Sequence, residues 1–211
     1  MPDQDHTSCA ARADLCRLLA ACYYEPGAEL AEEQVFAAME DAGAQVDPDL
    51  AERARRLGEA FAATDLQALL IDYTRLFIGP VAALARPYGS VWLGSADALM
   101  QDSTMAALQL YAEGGFDMDA GFREVPDHVA AELEFLYLLL FREAEARLNH
   151  DAQALASIGD LRRRFLGAHL GRWVGAFAAA VRAGAQTEFY RGLAGLTERF
   201  VALETGRDRA A

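Results

Sequence analysis

Three observations predict an all-α fold. Apolar residues recur at intervals of three and four through most of the 211-residue chain. Capping residues, glycines and prolines punctuate these stretches, and no segment alternates apolar and polar residues in a manner worth assigning to a strand. The expected architecture is a single helical bundle-like domain of eight or nine helices over residues 7–204, followed by a disordered tail at 205–211. In the divided form of this reading, helices one to four and the later helices are two subdomains hinged at residues 78–94.

Thr7 or Ser8 caps a first helix that buries Leu15, Leu18, Leu19 and Cys22 and stops at Glu25-Pro26-Gly27. Cys9, Cys16 and Cys22 lie seven and six residues apart on this one helix, so they cannot form an ordinary disulfide framework and read as small buried hydrophobes. A second helix covers about residues 28–41 with Leu30, Val35, Phe36 and Met39 inward, and Gly43 stands as its C-cap. Asp47-Pro48 then reads as N-cap and first helical residue, because proline at that position lacks only an N–H that would be unpaired anyway. Thr64-Asp65-Leu66-Gln67 is a capping-box pattern opening a fourth helix with Leu66, Leu69, Leu70, Tyr73, Leu76 and Phe77 on its apolar face.

Gly79-Pro80 ends that helix, and the next fifteen residues are neither short nor polar. Phe77, Ile78, Val81, Leu84, Tyr88, Val91, Trp92 and Leu93 make this stretch either a loop folded onto the core or a surface that binds something apolar. Ser95 recaps a fifth helix ending at Gly114-Gly115. From Pro126 the pattern is apolar on nearly every side, which is expected of a central helix. Helices at about 151–166, 169–183 and 187–204 complete the count.

Composition excludes several function classes. The chain is 53% hydrophobic, yet its apolar run at 135–141 has seven residues, far short of the roughly 20 a membrane span needs. The acidic start lacks a basic region followed by an apolar one, so no export signal is expected and the protein is placed in the cytoplasm. Net charge is −13 without a single lysine; residues 1–52 carry twelve acids against two arginines, and from Arg142 onward the balance turns to +3. Such a surface repels nucleic acid and anionic lipid, and it either serves solubility alone or attracts a basic peptide.

Glu124, Pro126, Asp127, His128 and Glu132 gather ionisable groups at the head of the central helix. A capped helix start accounts for them, with Pro126 at the first position, Asp127 on the positive end of the helix dipole and His128 one turn before Glu132. In an enzyme His128 would be a general base oriented by Glu132, or Asp127 and His128 would hold a metal. The remaining histidines are only His6, His150 and His169, and no GxSxG, phosphate-binding glycine loop or HExxH is present. Neither catalysis nor a bound metal or cofactor is expected.

Y-x-x-L-F-x-G-P at 73–80, P-x-x-S-V at 87–91, E-x-P-D-H-x-x-x-E-L-E-F at 124–135 and F-L-x-x-H-L-x-x-W at 165–173 together resemble the TorD/DmsD (NarJ-like) family of maturation chaperones for molybdenum-containing redox enzymes. The resemblance covers about residues 10–204. It implies an all-helical cytoplasmic chaperone whose partners are the twin-arginine signal peptide and the apo catalytic subunit of a molybdoenzyme, and whose task is to assist cofactor insertion and proofread export. It assigns client-binding roles to Tyr73, Leu76, Phe77, Gly79, Pro80, Pro87, Tyr88, Ser90, Trp92, Glu124, Pro126, Asp127, His128 and Glu132. Some members bind guanine nucleotide weakly, and clients in the family include nitrate, dimethyl sulfoxide and trimethylamine N-oxide reductases. A monomer is expected, with a domain-swapped dimer as the alternative state. Gly89 departs from the pattern, since members often carry an acidic or amide residue before the serine, and an alanine-rich insertion separates Pro80 from Pro87. The competing readings are a helical scaffold that binds no signal peptide and a metal-dependent hydrolase.

Overall fold

The computed structural model describes residues 2–79, 83–94, 102–117 and 125–210, with side chains described within 7–207. These residues form eleven α-helices and one π-helical turn, with no strand beyond a single isolated bridge. In order they are α1 (Pro2–Ala21), α2 (Glu29–Glu32), α3 (Val35–Val46), α4 (Pro48–Ala62), α5 (Leu66–Tyr73), the π turn (Thr74–Ile78) and α6 (Gly89–Leu93). Then follow α7 (Asp102–Glu113), α8 (Val129–Leu148), α9 (Ala152–Ala168), α10 (Leu170–Gly184) and α11 (Glu188–Ala210).

The helix count exceeds eight or nine for two local reasons. Gln34 adopts φ 53°, which splits the expected second helix into α2 and α3. The loop after Gly79 contains the short α6. Several boundaries also move. Thr7 and Ser8 lie inside α1 rather than capping it, and the residues expected as a tail continue α11 to Ala210. Gly43 is not a C-cap; α3 runs through it to Val46, and a Cβ there would lie 2.8 Å from the backbone nitrogen of Ala51. Its lack of a side chain is what lets α3 and α4 cross at backbone contact. Asp47 caps α4 through Asp49 N at 2.8 Å with Pro48 following. At α5 the cap is Asp65, accepting from Ala68 N, while Thr64 donates back to Ala60 O. The expected start at Ser95 lies outside the described residues.

Helix α8 is the axis. α1 lies along it and α9 packs on another side, while α4 and α10 both pack on α11. Helices before and after residues 78–94 therefore share one core, which runs from Leu15, Leu19 and Met39 through Leu133, Phe135 and Leu136 to Trp173, Phe177 and Phe200. No described helix is long and apolar enough to cross a membrane.

A buried ion cluster ties this core together at the far end from the loop. Glu204 on α11 accepts from Arg12 Nε at 2.8 Å and from Arg162 Nη1 at 3.1 Å, while Arg162 also lies 3.5 Å from Glu143. The three cysteines are free and buried, with Cys16 donating to Leu133 O at 3.1 Å and Cys9 to Leu140 O at 3.4 Å across the α1–α8 contact. Burial pushes the Cys9 thiol up to about 11 and Cys22 up to about 12, and raises Cys16 well above its ordinary value. Because the thiolate is the nucleophile, a thiol reagent at pH 8 is expected to leave the native protein unlabelled and to modify all three cysteines in denaturant. Rapid native labelling would show that α1 separates from α8.

Candidate functional site

The four motif segments meet around the short helix α6. At its start an antiparallel bridge pairs Tyr88 with His128. Val129 N donates to Pro87 O at 2.7 Å, Gly89 N donates to Asp127 O at 2.8 Å, and Ser90 N donates to the Asp127 carboxylate at 2.6 Å. Three hydrogen bonds, two of which make the bridge, thus join P-x-x-S-V to P-D-H and the first residue of α8 across 37 or more residues of sequence.

This arrangement corrects the expected helix start. Residues 126–128 form a turn, α8 begins at Val129, and its N-cap is His128, whose Nδ1 accepts from Ala130 N at 3.1 Å. Pro126 is half-buried, and its carbonyl accepts from Tyr111 at 2.9 Å. Asp127 is 1% exposed and spends one carboxylate oxygen on the amide of Ser90. It anchors α6 and does not face solvent, where a client arginine would meet it. His128 is buried as well, with the Tyr88 ring 5.4 Å from its own and the Tyr24 ring stacked at 6.4 Å.

On the other side, the Y-x-x-L-F-x-G-P segment forms the π turn, a geometry that recurs at functional sites. Leu76 and Phe77 are not on a surface. Leu76 is fully buried, and Phe77 sits among Tyr23, Tyr73, Phe177 and Tyr190 with ring centroids 5.3 to 6.1 Å apart. The extra backbone step of the π turn instead turns Ile78 outward, to 61% exposed. Tyr73 is half-buried against Phe77 and Tyr190. Gly79 has φ 66°, which L side chains rarely adopt, so glycine is required where the turn reverses. The carbonyls of Arg75 and Leu76, orphaned at this helix end, accept from Leu84 N and Ala85 N as the loop folds back. Asp72 fixes the turn from below; it is buried and accepts from Arg75, from the amides of Gln186 and Thr187 at 2.8 to 3.1 Å and from the Thr187 hydroxyl.

The loop is therefore partly packed and partly displayed. Ala85, Pro87, Gly89 and Ser90 are buried, Tyr88, Val91, Trp92 and Leu93 are half-buried, and Leu84 is exposed. Trp92 donates from Nε1 to Arg86 O at 2.8 Å and presents its ring to Phe177 at 6.3 Å. Glu132 lies beneath α6, completely buried, accepting from Trp173 Nε1 at 3.0 Å. His169, also buried, sits at the junction of α9 and α10. Burial lowers its pKa below the ordinary value and Arg172 adds to that, against the opposing pull of Asp127. Pro80, Val81 and Glu124 lie outside the described residues.

Two residues of the site were not singled out for binding in the sequence. Tyr24, in the turn after α1, stacks on His128 and donates to Glu134 at 2.6 Å, so both join the half-buried rim beside Tyr88. The adjacent pair Tyr23-Tyr24 just before Glu25-Pro26 was the available signal. Its two members diverge: Tyr23 is buried and donates to Thr197 at 3.0 Å. Among the described residues no group of three His, Cys, Asp or Glu side chains could hold a metal ion, and Asp127 and His128 have no third ligand for the hydrolase reading.

A proline-led short helix stitched to the capped start of a central helix, inside an all-α bundle, is the class of architecture these residues define. The family described as nitrate reductase delta subunit matches residues 43–179. The Tat proofreading chaperone DmsD of Salmonella typhi is 32% identical over 133 residues, covering 63% of this chain and 63% of its own length. The perchlorate reductase assembly chaperone protein of Dechloromonas aromatica is 35% identical over 91 residues, 43% of this chain and 40% of its own. Chaperone protein TorD of Vibrio parahaemolyticus is 28% identical over 138 residues, 65% and 62% of the two chains. The matches thus span less than two thirds of these relatives' lengths. A crystal structure from Archaeoglobus fulgidus, described provisionally as a redox enzyme maturation protein, shares the fold with a TM-score of 0.54 at 21% identity, covering 92% of this chain and 93% of that one. The chain belongs to the TorD/DmsD, NarJ-like family of redox-enzyme maturation chaperones.

Proposed function

We propose that residues 7–204 act as one chaperone domain in the cytoplasm, binding the twin-arginine signal peptide and the apo catalytic subunit of a molybdenum-containing oxidoreductase during its maturation. In this role the protein assists cofactor insertion, proofreads export and catalyses no reaction itself. One observation carries the reading: the Tyr88–His128 bridge unites two motif segments and gathers half-buried Tyr88 and Tyr24 about one imidazole, with Tyr24 bonded to the Glu134 carboxylate and half-buried Trp92 on the same short helix as the bridge. Half-buried aromatics next to an acid suit a peptide that offers arginines followed by an apolar helical stretch. The names of the DmsD and TorD relatives support the same reading. Buried Leu76, Phe77, Ser90, Asp127 and Glu132 serve it by building the surface, not by touching the client.

Titration calorimetry tests this directly. A peptide carrying a twin-arginine motif and its apolar stretch is expected to bind saturably at ~100 μM protein, since even about −5 to −6 kcal/mol registers there. Absence of heat and saturation would favour the helical scaffold. Tyr88→Ala is expected to weaken binding by about 2 kcal/mol or more while the melting temperature stays within a few degrees, as for a hot-spot aromatic. An early-melting Tyr88→Ala protein that binds normally would mean the loop is only packing.

A further inference from the structure

We infer that Glu132 is a positioning residue held as an uncharged carboxylic acid, and that its protonation seats α6, and with it Tyr88 and Trp92, upon α8 and α10. Only the consequence for binding rests on the function proposed above; the seating stands on the geometry of the junction.

Glu132 lies one turn inside α8 and is 0% exposed. A buried carboxylate is tolerated when a cation or several donors meet it. Here one donor does: Trp173 Nε1 reaches Oε2 at 3.0 Å, whereas Oε1 has no hydrogen-bond partner. Among the described residues, the groups around it supply no compensating charge. The turn before α8 contributes Asp127, a like charge, and α7 contributes the Tyr111 phenol. α6 contributes Gly89 and the neutral Ser90, α1 the thiol of Cys16 bound to the neighbouring carbonyl of Leu133, and α10 the indole of Trp173. His169, just before α10, interacts with Asp127 and with Arg172, and neither His169 nor Arg172 is among the groups that act on Glu132. Burial first, and Asp127 second, raise the Glu132 pKa well above its ordinary 4.5, against the indole hydrogen bond.

Gly89 explains how α6 comes so close. A Cβ at this position would lie 3.0 Å from Glu132 Oε1 and 3.0 Å from Trp173 Nε1. The absence of a side chain at Gly89 thus lets the first turn of α6 rest on the carboxylic acid itself. Ionising Glu132 would place a bare charge against that turn and beside Asp127, and the relief available is for α6 to lift, carrying Tyr88 and Trp92 with it.

The sign of the pH effect follows. In the unfolded chain Glu132 loses its proton near 4.5, and in the folded chain it keeps it to much higher pH. Between those values the folded state holds one more proton, so the contribution is full below 4.5 and is lost as pH rises, tenfold in the folding constant per pH unit. Glu132→Gln keeps an oxygen for Trp173 and cannot ionise. Denaturant melts of wild type and Glu132→Gln are expected to diverge as pH rises above about 5, tenfold per unit for as long as the folded state keeps the proton, the variant being the more stable at the higher pH. Infrared spectroscopy at pH 7 is expected to show a protonated carboxylic acid band in the wild type, absent from Glu132→Gln and moved to higher frequency in Trp173→Phe, which removes the donor. The chain's two tryptophans, Trp92 and Trp173, sit on and under α6, so their emission is expected to shift to the red with rising pH in the wild type alone. No acid band at pH 7, or a stability gap that does not change with pH, overturns the proposal whether or not a peptide binds. If Glu132→Gln fails to fold, the wild-type band and its displacement in Trp173→Phe still decide it.

Discussion

Phe77→Ala is expected to cost about 3–5 kcal/mol of folding free energy, lowering the melting temperature by roughly 6–20 °C for a chain of this size. The ring is 6% exposed and touches four aromatic neighbours from four parts of the chain, so truncation opens a cavity that rigid helices cannot close. The motif alone would assign Phe77 to client contact, which predicts unchanged stability and lost binding. Thermal denaturation with peptide titration on the same sample separates the two. A variant that melts like the wild type but no longer binds would return Phe77 to the client surface and require the π turn to open on binding.

Glu204→Ala is expected to be comparably severe, at about 3–5 kcal/mol, because it leaves Arg12 and Arg162 inside the bundle without the carboxylate they share. Exposed pairs behave differently. Glu52 bridges Arg55 and Arg56 on the outer face of α4, and Glu52→Ala is expected to shift the melting temperature by about a degree or two. Equal effects from the two variants in chemical denaturation would mean that water screens the Glu204 cluster, and that α1 and α11 are not locked there.

Both results bear on what could be read from the chain. The cap of α4 was legible: Asp47, read as N-cap before Pro48, accepts from Asp49 N within its own turn. The apolar residues on nearly every side of 129–140 marked the central helix correctly, since only a helix surrounded by others can bury Leu133, Phe135, Leu136 and Leu139 at once. The motifs located the junction of α6 with α8. They did not say which side chains face out, because a motif records that positions are constrained and not whether packing or a client constrains them. Asp127 shows the difference: beside a helix start it reads as a free anion, yet its partner is an amide 37 residues earlier in the chain.

Sequence by itself determined that this protein is a helical bundle and where most helices begin and end, because those properties depend on contacts among residues three or four apart. The tertiary structure alone decided that Leu76, Phe77, Asp127 and Glu132 are buried while Tyr24, Tyr88 and Trp92 stay half-buried around the junction of α6 with α8. Whether a side chain meets solvent depends on the crossing of helices distant in sequence, and a shift as small as the added backbone step of the π turn moves Phe77 inward and Ile78 out.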